Sequence, residues 1–131
     1  MSLAGELQAA LVAALGAAQG VSGIVSGVFD GPPPRPALPY LTIDLGPGLD
    51  WSTKTQAGRE QRPTITIWEE SGRTLRLRGL LDAVGACVAG LNRDLPSGRI
   101  ASLVLLRERV ARDPAGPWAG LVELRVRMLA D

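Results

Sequence analysis

The sequence has no histidine and a single cysteine, Cys87, and these two shortages exclude more than any residue it contains. Without imidazole the commonest general base and the usual zinc ligands are missing, and one thiol cannot close a disulfide within the chain. Charge of one sign is lacking too. With 14 basic and 13 acidic side chains the net charge is +1, so no long-range field draws a polyanion or an acidic membrane. Aromatic residues are only 4% of the chain, and basic residues do not alternate with them as a base-stacking surface requires. No apolar run is long enough to span a bilayer. The apolar stretch from Met1 to Gly20 is interrupted by Glu6 and Gln8 and lacks a basic leader, so it does not read as a signal peptide. The compartment implied is a reducing cytoplasm.

What is present fits a folded domain. The 131 residues, 46% apolar and 21% charged, match one globular unit over residues 1–131 with a core of ordinary size. Only Lys54 is lysine; the other basic residues are arginines, whose planar fork suits carboxylates and carbonyls at protein interfaces.

Period and punctuation give the elements. Leu3, Leu7, Leu11 and Leu15 recur every fourth residue, with Ala10, Ala14 and Ala18 in the same stripe. This predicts a helix from Leu3 to Ala18, capped by Ser2, with Gly16 and Gly20 as alternative ends. Ile24 to Phe29 alternates as a strand, and prolines 32, 33, 34, 36 and 39 then impose an extended surface connection. Tyr40 to Leu45 reads as a strand stopped by Gly46, Pro47 and Gly48, Trp51 to Thr55 as a third, and Arg62 to Glu69 as a clearer one. The polar Lys54 to Gln61 segment reads as a long, mobile hairpin loop.

After Ser71 and Gly72, Leu77, Leu80, Leu81, Val84, Val88 and Leu91 mark a second helix, Thr74 to Leu91, that crosses the sheet with Cys87 as an inert, buried thiol. Arg73, Arg76 and Arg78 fall on or near its outer surface. Arg99 to Ala111 and Ala119 to Leu129 form an antiparallel hairpin about the turn at Asp113, Pro114 and Gly116. In the last strand Val122, Leu124, Val126 and Met128 alternate with Glu123, Arg125 and Arg127, defining a dry face and a wet one. Leu103, Val104, Leu105 and Leu106 are apolar on both faces, so that strand is either central or covered by something outside the domain. The fold predicted is α+β: a single, mainly antiparallel sheet with two helices packed against it.

Candidate chemistry is thin. Glu69 and Glu70, as neighbours in extended chain, point to opposite faces and read as a solvated strand end rather than an acid and base. Serines 22, 26, 52, 71, 97 and 102 have no histidine to activate them, and Lys54 sits in a polar loop. Gly46-Pro47-Gly48 lacks the lysine and helix start of a phosphate cradle. The residues singled out are interface candidates: Trp51, Lys54, Arg59, Trp68, Leu103, Leu105, Arg107 and Trp118. Trp51 and Trp118 fit interface anchors on the one hand and core or loop packing on the other equally.

The run Val28-Phe29-Asp30-Gly31-Pro32, then Pro39-Tyr40-Leu41, Gly46 and Trp51, then Thr64-Ile65-Thr66-Ile67-Trp68 and the arginine-led helix, continues into Val104 to Asp113 and Trp118 to Arg127. Over nearly the whole chain this order resembles the tail terminator, or tail-completion, family of long-tailed phages and gene transfer agents. The resemblance implies a tail-terminator-like fold and a virion structural protein without catalytic residues or cofactors. Such a subunit closes the head-proximal end of a tail tube as a ring, commonly a hexamer, and joins the head connector. Its partners would be copies of itself, the tube protein and the connector or stopper, with DNA passing through the lumen and no membrane. A head-side neck or adaptor protein is the alternative of similar class, and a small-molecule enzyme built on scattered Asp and Arg residues is the alternative of another. The dense prolines from 32 to 39 and the acidic Trp68-Glu69-Glu70 depart from the family pattern.

Overall fold

In the computed structural model, which describes residues 1–70 and 72–131, Ser2 caps the first helix as its side chain predicts: the Gly5 N–H donates to Ser2 Oγ at 3.1 Å. Helix α1 runs Leu3–Ala17 and buries Leu7, Leu11 and Leu15 completely. Neither expected glycine ends it. Gly16 lies inside α1 and Gly20 inside a following helical turn, α2, Gln19–Ser22. Neither adopts a positive φ. The chain instead breaks at an extended Ala18, whose carbonyl accepts the N–H groups of Val21 and Ser22 and starts the new turn.

The strand expected from Ile24 shrinks to β1, Val28–Phe29, because the N–H groups of Ile24 and Val25 turn back to the Val21 carbonyl. The proline segment crosses over as a connection, and β1 lies parallel to β2, Tyr40–Asp44. Gly46 turns the chain at φ +66, a conformation that favours glycine, and its N–H is held by Asp44 Oδ1 at 3.0 Å. Next come β3, Gly48–Asp50, and β4, Gly58–Gln61, an antiparallel hairpin. Two expectations move here. Trp51 to Thr55 is the turn rather than a strand, and the Lys54 to Gln61 loop gives way to strand at Gly58. Ser52 and Thr53 explain the shift. Ser52 Oγ accepts the Gly58 N–H and donates to Asp50 Oδ1, and Thr53 Oγ1 accepts the Gln56 N–H, so hydroxyls replace ladder partners in this turn.

Strand β5 is Thr64–Glu69, β6 Asp94–Leu95, β7 Gly98–Ala111 and β8 Trp118–Ala130. All eight strands form one sheet centred on β8. Along one side β8 pairs with β7; along the other it pairs with β5 and then β4. Pro63 makes the joint between β4 and β5. It offers no N–H, but its carbonyl accepts the Leu124 N–H at 2.9 Å and keeps the ladder continuous. The second long helix, α3, Thr74–Ala89, follows Gly72; Ser71, half of the expected turn, lies outside the described residues.

Alternation along the strands sends Leu41, Ile43, Ile65, Ile67, Val122, Leu124, Val126 and Met128 to one face. There they meet Leu7, Leu11 and Leu15 of α1 and Leu77, Leu80, Leu81, Val84 and Val88 of α3 in one cluster. Each such side chain contributes about 1.5–3 kcal/mol on leaving water. Gly120 lets α3 approach closely, since a Cβ there would lie 2.8 Å from Leu77 Cδ1. Two acids share this dry side. Glu6 of α1 takes the N–H and hydroxyl of Ser97 at 2.9 and 2.7 Å, which fastens α1 to the β6–β7 turn.

Glu69 corrects the expectation of a solvated strand end. It is 0% exposed, because alternation places it on the same face as Ile65 and Ile67, and Arg76 of α3 reaches it with two hydrogen bonds of 2.7 Å. Burial alone would raise its pKa. The Arg76 bonds, the Glu70 N–H and the guanidinium charge outweigh that and hold it below the ordinary carboxylate range. Glu70, by contrast, is exposed and 3.6 Å from Arg73.

Arg76→Met should therefore cost about 3 kcal/mol, the lower end for breaking a buried pair, since Arg76 keeps 34% of its side chain in water. Glu69→Met with Arg76→Met should recover most of the loss. A carboxylate with a depressed folded pKa stabilises above its unfolded pKa and loses that contribution as pH falls through the folded value. Urea unfolding should show the gap between Arg76→Met and the parent shrinking at acid pH.

Candidate protein interface

The sheet has a second face, and no helix covers the residues that alternate with the core. Tyr40, Thr42, Thr64, Thr66, Trp68, Leu121, Glu123, Arg125 and Arg127 are all half-buried there. One end is aromatic. Tyr40 stacks on Trp68 with ring centroids 6.2 Å apart, Phe29 meets Tyr40 edge-on at 6.1 Å, and Trp68 Nε1 donates to Thr42 Oγ1 at 3.1 Å. Beside this stack lies an open cavity of about 340 Å³ bordered by Asp30, Pro32, Tyr40, Asp44 and Trp68. Both of its carboxylates are exposed.

The other end is a layer of ion pairs. Glu60, nearly buried, accepts from Arg127 Nε at 2.9 Å and Arg62 Nε at 3.4 Å. Glu123 accepts from Arg107 Nε and Nη2 and lies 4.0 Å from Arg109. The hydrogen bond from Arg127, opposed by burial and aided by Arg62, lowers the Glu60 pKa, and the bond from Arg107 does the same for Glu123. Partly exposed pairs of this kind add little stability. Their effect is to hold the arginines in fixed orientations. Among the described residues, Arg125 Nε is buried without a partner.

The candidates from sequence do not gather in one patch. Trp51 opens the β3–β4 turn under the Arg127 guanidinium, 5.4 Å from its ring, Lys54 is exposed in that turn, and Arg59 on β4 donates to Gln61 Oε1 at 2.6 Å. Trp118, at the far end of β8, lies under Arg112 at 4.7 Å and packs against the core. Each of these two tryptophans is thus already covered by an arginine of its own chain. Trp68 and Arg107 belong to the uncovered sheet face, as described.

Leu103 and Leu105 stand on β7, and the structure decides between the two readings of that strand. It is an edge rather than a central strand. Pairing with Val126 and Leu124 puts Leu103 and Leu105 on the helix side, while Val104, opposite Arg125, faces the other way. A bulge between Leu105 and Arg107 leaves Leu106 without a counterpart on β8. Val104, Leu105 and Leu106 are 38, 41 and 44% exposed, an unbroken apolar row on an edge.

Sequence reasoning missed Leu49, which is 58% exposed on β3, because the segment Gly48–Asp50 was absorbed into a turn. It also missed the aromatic stack. The alternation of Tyr40 with Thr42, and of Thr64 and Thr66 with Trp68, was the available signal, but the pairing of β2 with β5 is needed to bring the rings together. Cys87, expected to be buried, is half-buried, and what burial it has raises its thiol pKa, which disfavours the reactive thiolate.

Residues 9–129 match the model of the family described as tail completion protein gp17. Among solved structures, a chain from the virion of a native gene transfer agent particle is similar, with a TM-score of 0.80 and 25% sequence identity over 98% of each chain. None of the curated proteins matches in sequence.

Because Leu105 is an exposed edge residue, Leu105→Asp should keep the circular dichroism spectrum and cost about 1 kcal/mol or less in urea unfolding. Leu124→Asp, one strand inward at a fully buried site, should abolish folding.

Proposed function

The chain belongs to the tail completion protein family, and we propose that it closes the head-proximal end of a tail tube as a ring of identical copies and joins that tube to the head connector. It is a structural protein of a phage or gene transfer agent particle, as the family match and the likeness to a gene transfer agent virion chain establish. The observation that supports the finer reading is that likeness, which extends over 98% of both chains. The whole of residues 1–131 then acts as one tail-terminator-like unit.

Two further features support it. A ring needs two different, mutually complementary patches on each subunit, and the apolar edge of β7 and the uncovered aromatic and acidic side of the sheet are two such patches. Among the described residues the buried acids, Glu6, Glu60 and Glu69, are each engaged in structural hydrogen bonds. The proposed work is mechanical, done through broad contacts with the tube protein on one side and the connector on the other.

Deleting the gene and imaging the particles should give tails of unregulated length detached from heads; tails of normal length still joined to heads would count against the reading. The isolated chain should sediment as a monomer at low concentration and join rings when purified tube protein is added. Binding to the connector but never to the tube would instead make it a head-side adaptor.

A further inference from the structure

Along β8 the outer face of the sheet carries Glu123, Arg125 and Arg127 in turn, and Arg125 is the one left without a counter-charge. Glu123 accepts from Arg107, and Glu60 accepts from Arg127 and Arg62. Arg125 takes part in none of the ion pairs of the described residues, and its Nε is buried with no acceptor. Nearly all buried polar groups in folded proteins have a partner, so one that lacks it calls for a cause.

Its surroundings supply no acceptor. Val104, itself 38% exposed, lies opposite on β7. On the other side the pairs Thr64 with Glu123 and Gln61 with Val126 bracket the joint between β4 and β5, which puts Arg62 across from Arg125. Like charges opposed across two strands are unfavourable, and Arg62 turns to Glu60 at 3.4 Å. In this part of the face Arg62, Arg107, Arg109, Arg125 and Arg127 stand against Glu60 and Glu123. The next acid on the face, Asp44, is two strands away on β2, and its Oδ1 accepts the Gly46 N–H.

Arg125 as a whole is half-buried, so in the free subunit water serves the remainder of its guanidinium. A neighbour that covers this face removes that water and must bring an acceptor in its place. The need is for one planar group, which a carboxylate meets with two parallel hydrogen bonds. A nucleic-acid track would need a run of free cations, whereas Arg62, Arg107 and Arg127 are already engaged by glutamates.

We infer that this arginine end of the outer sheet face docks a carboxylate-bearing surface of a neighbouring protein subunit, whose aspartate or glutamate accepts from Arg125. Val104 supplies an apolar contact beside the pair. The inference rests on the reading of the chain as a particle subunit with neighbours, and adds the chemistry of one contact.

Arg125→Met in the full chain tests it, because it removes the guanidinium and keeps the apolar stem. The variant should unfold in urea at the parent concentration or higher, since an unpaired donor is lost; unfolding at lower urea would mean that the guanidinium is already satisfied in the free subunit, and would overturn the inference. Binding is read by fluorescence polarisation of labelled hexaglutamate, hexaglutamine and a thymidine hexanucleotide. Hexaglutamate should bind saturably and hexaglutamine should not. Arg125→Met should weaken hexaglutamate at least about fivefold, while Arg73→Met, which removes the same charge from an exposed site at the start of α3, should change it by less than about twofold. No saturable binding of hexaglutamate, or equal losses in the two variants, would overturn the inference, as would Arg125-dependent binding of the nucleotide that is tighter than that of hexaglutamate. Sedimentation with purified tube protein keeps the ring reading separate. If the parent joins tube rings while the peptide results fail, that reading stands without this contact; if it joins none while Arg125-dependent binding of hexaglutamate holds, the ring reading falls and the contact belongs to another acidic neighbour.

Discussion

One constraint organises the molecule: β8 is paired along both sides while its inward residues, Val122, Leu124, Val126 and Met128, are all fully buried beneath the helices. Strands β4, β5 and β7 have their places because each hydrogen-bonds to it. The two long helices need it as well. Their leucine stripes have nowhere else to leave water, and a stripe of that kind does not hold a short helix together unaided. Helices and sheet thus depend on the same cluster of buried residues, and the sheet's outer face is left for other purposes.

That division makes sense of the buried acids. Glu69 and Glu6 cost desolvation, and each is met by donors from another element, Arg76 of the helix that follows or Ser97 far along the chain. The Glu6–Ser97 contact joins α1 to the β6–β7 turn, and the Glu69–Arg76 pair joins β5 to α3. Such groups contribute more to the uniqueness of the arrangement than to its net stability. On the outer face the acids Glu60 and Glu123 do something different. They hold Arg62, Arg107 and Arg127 by hydrogen bonds, which keeps that surface polar in the free subunit.

Much of this was legible from residue order. The period-two pattern of β8, the four-residue leucine repeat of α1, the stripe of α3 and the turn at Pro114 each report a local rule acting alone, and each element stands where the rule places it. The departures come where a non-local partner or a side-chain bond prevails over local pattern. Ile24 and Val25 have strand character, yet their N–H groups are taken by Val21. Gly58 to Gln61 looks like loop but becomes strand because β8 is there to receive it. Glu69 looks solvated until α3 brings Arg76 to it. For the interface, the apolar row on β7 was visible, but whether it lay inside or at the margin depends on sheet order, which no local pattern encodes. Leu49 and the Phe29, Tyr40 and Trp68 stack became visible only with that order known.

The position of β8 in the chain carries a consequence for how the molecule is made. The middle of the sheet follows in the chain every strand that pairs with it, and α1 must wait for Ser97 before Glu6 is satisfied. Contacts this far apart in sequence slow folding, because loop closure precedes any reward. Until translation passes Trp118, Ile65 and Ile67 line an unfinished sheet with both leucine stripes uncovered. A chain that stops short of Trp118 therefore lacks the strand on which β4, β5 and β7 all pair.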